Sequence, residues 1–226
     1  MCIRDRDDTW VIIPVYNEDQ VIGQVVKDLL PTFPHVVCID DGSRDRSAAV
    51  AAAAGATVIR HPVNLGQGAG LQTGIEYVRG FTPAKYLLTF DADGQHRVED
   101  GLAMVEQAEK ENLAIVFGSR FLSSQTQVGW MKRLVLKTAA RVTARRTGMK
   151  LTDAHNGLRV LRRDAFEQVN LLQNRMAHAS EIVAQLAKIG LPWAEHSVFI
   201  RYTDYSKAKG QSLLNSINIL TELLIK

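Results

Sequence analysis

The first half of the chain alternates short apolar runs with longer stretches whose apolar positions recur at helical spacing. Residues 10–15, 35–39, 56–60, 85–90 and 114–119 read as five buried strands, because each run is short, apolar and bounded by turn residues. Helices are expected over residues 19–30, 44–54, 68–80 and 98–110, with Ser43 as the N-cap of the second. Buried strands separated by helices imply an α/β domain: a mostly parallel central sheet with right-handed crossovers, flanked by helices. In such sheets ligands sit beyond the carboxyl ends of the strands.

That rule brings five polar strand endings to one edge. They are Pro14-Val15-Tyr16-Asn17-Glu18, Asp40-Asp41-Gly42-Ser43, Asn64-Leu65-Gly66-Gln67-Gly68, Asp91-Ala92-Asp93 and Gly118-Ser119-Arg120. Turn and cap chemistry accounts for any one of them, but less well for two acidic pairs and an arginine together. Burying a carboxylate is costly, and a like-charged neighbour adds to the cost unless a cation lies between them. Asp91 and Asp93, two apart after a strand, can address one divalent cation with Gln95 as a third oxygen ligand. Hard oxygen ligands favour Mg2+ or Mn2+, whose remaining positions go to substrate phosphates. In the Asp40-Asp41 pair, one acid can cap the turn while the other accepts hydrogen bonds from a nucleotide base. The glycine-rich loop has Gly66, Gly68 and Gly70 but Leu71 where a dinucleotide fingerprint requires glycine, and it follows the third strand. A hydride-transfer cofactor is therefore excluded, while close approach of a ligand to the loop stands.

Composition changes the picture mainly through charge. The 226 residues carry a net charge of +3, and 46% are hydrophobic, which fits one soluble domain. Between Asn112 and Thr152 there is no Asp or Glu, while Arg120, Lys132, Arg133, Lys137, Arg141, Arg145, Arg146 and Lys150 are basic. Residues 131–148 read as an amphipathic helix with a basic stripe, which suits a phosphate-rich surface. No aromatic stacking pattern accompanies it, so nucleic acid is not the expected partner. Two cysteines make no disulfide framework, and a reducing compartment is the expectation. Residues 1–8 are charged, match no element and are expected to form a disordered tail. The domain is expected over 9–210, followed by an amphipathic helix over 211–226. Its Leu213, Ile217, Leu220 and Leu224 stripe packs on the domain, on a partner or in a membrane interface.

Five motifs in order, "VIIPVYNE", "IDDGSRDRS", "NLGQGAGLQTG", "FDADGQH" and "FGSRF", resemble the family 2 glycosyltransferases of the GT-A fold. Within them the chain is most similar to the dolichyl- and polyprenyl-phosphate sugar synthases. The resemblance covers residues 11–209. It implies a Rossmann-like nucleotide-diphospho-sugar transferase that takes a GDP- or UDP-sugar, uses Mg2+ or Mn2+ and inverts the anomeric carbon. Carried over by position, Pro14, Tyr16, Glu18 and Asp41 cradle the nucleotide, with Gln67 and the Asp91-Ala92-Asp93 run beside it. Asp91, Asp93 and Gln95 match the metal and diphosphate motif, and Arg120 and Arg133 the positions that hold an acceptor phosphate. Asp153 opens and Arg159 closes a further matching segment, and Glu181 falls where relatives with hydroxyl acceptors carry a catalytic acid. The candidate catalytic set is thus Asp93, Arg120, Arg133, Asp153 and Glu181. Gln67 stands where many relatives have lysine, and "HNGLR" replaces the commoner Ser-Gly-Phe-Arg run.

Two acceptors remain open at this point, besides a non-catalytic subunit that only binds the nucleotide-sugar. A phosphate acceptor is largely ionised at neutral pH and needs positioning by arginines more than a base. A sugar or protein hydroxyl needs a base, for which Asp153 or Glu181 is the candidate. The expected location is cytoplasmic, or peripheral on the cytoplasmic face of a membrane, with room for a membrane-protein partner.

Overall fold

The computed structural model describes residues 6–122 and 148–201. Its elements follow in the order β1 (Thr9–Val15), α1 (Ile22–Leu29), β2 (His35–Asp40), α2 (Ser47–Ala53), β3 (Thr57–Arg60), α3 (Gln67–Phe81) and β4 (Tyr86–Thr89). Then come α4 (Val98–Lys110), β5 (Ile115–Ser119), β6 (Arg159–Arg162), α5 (Arg163–Phe166), α6 (His178–Ile189) and β7 (Trp193–Ser197). Residues 131–147 of the basic segment, with Arg133, and the helix expected over 211–226 lie outside the described residues.

The seven strands among the described residues form one sheet in the order β3-β2-β1-β4-β6-β5-β7. β1 pairs in parallel with β2 and with β4, and β5 in parallel with β7. β6 runs antiparallel to both neighbours, so it separates β4 from β5. The five expected strands are present and the sheet is mostly parallel, but β6 and β7 were not foreseen. "RVLR" is only four residues long and begins with a buried arginine, so it carries little local strand signal.

Both faces of the sheet are covered, which explains the continuous apolar runs. Val11, Ile13 and Val15 of β1 face Ile22, Val26 and Leu29 of α1 and Met104 and Val105 of α4. Ile12 points the other way, among Leu71, Ile75 and Val78 of α3 and Ile182, Val183 and Leu186 of α6. Among the described residues no helix is long and apolar enough to cross a membrane.

Two local expectations are corrected. Ser43 does not cap α2: the helix starts at Ser47, and the Ser43 hydroxyl instead accepts the Asn17 N–H at 3.0 Å. Residues 6–8 are not a loose tail. Arg6 pairs with Glu109 at 2.8 Å, and the Asp8 carbonyl accepts the Lys85 N–H at 2.9 Å, so this turn is packed on the domain before β1 begins.

Cys38 is buried in β2, where burial and then the nearby Asp40 charge push its thiol up to about 12. A thiol so placed is inert until the sheet opens. In a Cys2→Ser protein, a maleimide should leave the folded state unlabelled and take up one equivalent in denaturant. Rapid labelling without denaturant would contradict the described packing of β2.

Candidate active site

The carboxyl ends of β1, β2 and β4, the start of α3 and the start of α6 surround one cleft of about 540 Å³. Every expected donor-binding residue lines it: Pro14, Tyr16, Glu18, Asp41, Gln67, Asp91, Ala92 and Asp93. His155, Gly157, Arg159 and His178 line the same cleft from the second half of the chain.

Asp91 follows β4 directly and meets two groups that no strand-end rule anticipates. His96 Nε2 lies 2.9 Å from Asp91 Oδ2, and since a carboxylate only accepts, the ring nitrogen donates. Gly157 passes so close that a Cβ there would sit 2.4 Å from Asp91 Oδ2. Any other residue at 157 would push the carboxylate out of place. Burial alone would raise Asp91, but the His96 hydrogen bond and the charges of His96, Arg159 and His178 hold it below the usual carboxylate range. Asp93 responds oppositely: burial, then the Asp91 charge, and further off Glu18, push it up to about 6. Negative charge therefore accumulates at this point of the cleft beyond what the protein's own cations offset.

That donor set fits a hard divalent cation: two carboxylates, one of them raised in pKa by burial and then by the other, facing an open cleft. Among the described residues no group of three or more His, Cys, Asp or Glu is arranged to enclose a metal. A cation here would thus take Asp91 and Asp93 from the protein and its other oxygens from a ligand or water. Gln95 does not line the cleft. Its backbone N–H donates to Asp93 Oδ1 at 3.0 Å, and its carbonyl accepts from the Arg201 N–H, so its place is in the turn that shapes Asp93.

Arg159 is the largest fully buried side chain and sits beneath the cleft. Burial lowers its pKa to about 10, so it remains a cation at neutral pH, with the charges of Asp91 and Asp153 opposing the shift. His155 is lowered to about 4 by burial and then by Arg159, so its imidazole is neutral. His178 Nδ1 donates to the Arg175 carbonyl at 2.7 Å, which leaves the other ring nitrogen as an acceptor.

The two carboxylates expected to serve as bases are committed elsewhere, and neither lines the cleft. Asp153 is buried and takes Arg120 Nε at 2.6 Å and Nη2 at 2.9 Å, a two-pronged ion pair. The Glu181 carboxylate accepts the N–H groups of Leu172 and Gln173 at 3.1 and 2.8 Å, tying down the loop before α6. Sequence reasoning missed His96 and gave Arg159 no role. His96 could have been suspected from its position five residues after Asp91, whereas Arg159 depends on the unforeseen β6.

Residues 10–169 match the family model "Glycosyl transferase family 2". An uncharacterized protein of Methanocaldococcus jannaschii is 30% identical over 227 residues, spanning 98% of this chain and 93% of its own length. The UDP-N-acetylglucosamine–dolichyl-phosphate N-acetylglucosaminyltransferase of Methanococcus voltae is 26% identical, over 96% of this chain and 94% of its own. The polyprenol monophosphomannose synthase of Mycolicibacterium smegmatis is 30% identical over 75% of this chain and 67% of its own. Among solved structures, the UDP complex of glucosyl-3-phosphoglycerate synthase from Mycobacterium tuberculosis superposes with a TM-score of 0.69. It shares 17% identity over 96% of this chain and 78% of that one, a likeness of fold alone. The chain belongs to glycosyl transferase family 2, and it is a glycosyltransferase of the GT-A fold.

Asp153 gives the first test of the site's framework. Its carboxyl is held below the ordinary value near 4: burial opposes ionisation, but the Arg120 charge and hydrogen bonds outweigh it. A group depressed in the folded state contributes stability above its unfolded pKa and loses it as the pH falls through the folded one. Asp153→Asn should cost about 3–5 kcal/mol in urea unfolding at pH 7. The gap from wild type should stay constant from pH 5 to 8 and narrow below about pH 4. A gap independent of acid would show that the ion pair contributes nothing.

Proposed function

We propose that the protein transfers a sugar, with inversion, from a UDP- or GDP-sugar to a polyprenyl phosphate. The observation that carries this reading is the commitment of both candidate bases. Asp153 is engaged by Arg120 and Glu181 by the backbone of residues 172–173, so among the described residues the carboxylates lining the cleft are Glu18, Asp41, Asp91 and Asp93, all expected on the donor. A phosphate acceptor needs no base, because its second pKa is about 6 and it arrives largely ionised. The names of the relatives from Methanococcus voltae and Mycolicibacterium smegmatis, which refer to dolichyl phosphate and to a polyprenol monophosphate sugar, support the same class.

The chain's own residues have the following parts. Asp41 and Tyr16 receive the nucleotide at the ends of β2 and β1. Asp91 and Asp93 face the diphosphate, with His96 fixing the Asp91 carboxylate and the Gln95 N–H keeping Asp93 in place. A bound Mg2+ or Mn2+ would be held by these two carboxylates and supplies charge neutralisation for the departing diphosphate. Arg120, held by Asp153 at the end of β5 and outside the lining of the cleft, and Arg133 keep their expected role toward an acceptor phosphate. An acceptor phosphate oxygen forms a bond to the anomeric carbon from the face opposite the leaving group. The bond from that carbon to the diphosphate breaks, and the nucleoside diphosphate departs with the electron pair. No proton has to move.

Asp91→Asn keeps the shape of the side chain and removes its charge. It should lower sugar transfer to a short polyprenyl phosphate by about two orders of magnitude or more. The thermal midpoint should remain within a few degrees of wild type. Chelator should abolish transfer by the wild type, and Mn2+ or Mg2+ should restore it. Full transfer by the variant, or turnover indifferent to chelator, would remove Asp91 and the metal from the reaction.

A further inference from the structure

Beyond Asp91 the cleft is walled by the second half of the chain, through His155, Gly157, Arg159 and His178. This wall adjoins the diphosphate end. A Cβ at Gly157 would run into the Asp91 carboxylate, and the charges of Arg159 and His178 act on the same group. A sugar joined to a diphosphate at Asp91 and Asp93 therefore comes against it.

His178 has an unused hydrogen-bonding position on this wall. Its side chain is buried, and a carbonyl only accepts, so Nδ1 donates to Arg175 at 2.7 Å and the lone pair lies on Nε2. Among the described residues no group donates to that nitrogen. The ring has little room to shift, because the start of α3 packs directly on the start of α6. A Cβ at Gly68 would lie 2.8 Å from His178 Cβ. Burial lowers the pKa of the ring, and Arg159 adds to the fall against the opposing Arg175 carbonyl, so Nε2 is unprotonated at neutral pH. His155 offers less, since its Nε2 already lies 3.4 Å from the Ser180 hydroxyl. We infer that His178 Nε2 accepts a hydrogen bond from a hydroxyl of the transferred sugar, which makes His178 a residue that reads the sugar rather than the nucleotide. A hydroxyl can donate to Nε2, whereas an ionised phosphate or carboxylate cannot. This inference rests on the nucleotide-sugar reading above and adds the group that recognises its sugar.

Two variants separate the ring's nitrogens. His178→Asn keeps a donor close to the Nδ1 position and removes the acceptor, and His178→Gln does the reverse. Calorimetric binding to the full chain with Mn2+ present compares UDP with UDP-glucose and UDP-N-acetylglucosamine, and GDP with GDP-mannose. His178→Asn should weaken the tightest-bound sugar nucleotide by about three- to tenfold and leave the free nucleoside diphosphate unchanged. His178→Gln should bind both as the wild type does. In the wild type, removing one particular hydroxyl from that sugar should cost the same factor. Equal weakening of the free diphosphate would place the ring on the nucleotide or the cation. Undiminished sugar binding by His178→Asn, loss in His178→Gln alone, or indifference to every deoxygenation would leave the ring only anchoring residue 175. Each of these would overturn the inference and leave the nucleotide-sugar reading standing. A wild-type chain that binds none of these nucleotides would overturn both.

Discussion

The structure is organised around the charge it gathers at the end of β4. A half-buried carboxylate at the mouth of an apolar strand is unfavourable, and a second one two residues later makes it worse. Here the first is stabilised by a hydrogen bond from His96 and by the Arg159 cation beneath it, while the second is left partly uncompensated, with its pKa near 6. The imbalance is what a cation and a diphosphate would relieve. It also bears on neighbouring sequence: a side chain at 157 would displace the Asp91 carboxylate, and the antiparallel β6 brings Arg159 under the cleft.

A second constraint holds the nucleotide end. Loop 64–66 has no regular structure of its own, and its backbone donors find a partner in Asp41. The acid that would face a base is thus the acid that builds the loop around the base. Asp40, its neighbour, is engaged elsewhere, accepting the Ser43 N–H at 3.3 Å and facing Arg60 at 3.0 Å. The expected division of one acid for the turn and one for the cleft matches this arrangement, although the cap assigned to Ser43 does not exist.

Strands β1 to β5 were legible because each is a local apolar run, and so was the convergence of their polar ends. What was not legible depends on contacts distant in sequence. β6 is four residues that become a strand only between β4 and β5. Asp153 and Glu181 had the residue type of a base, but their partners, Arg120 and the 172–173 backbone, are set by tertiary packing. Arg159 in sequence is a polar residue in an apolar run, and its place beside Asp91 becomes visible only with the antiparallel pairing of β6 to β4.

The proposed reaction is direct displacement by an ionised phosphate without a base. The most direct measurement is the anomeric configuration of the lipid-linked product by proton NMR, starting from an α-linked nucleotide-sugar and a short polyprenyl phosphate. A β-linked sugar phosphate is the predicted product. An α-linked product, or sugar transferred only to water or to a hydroxyl, would contradict the account.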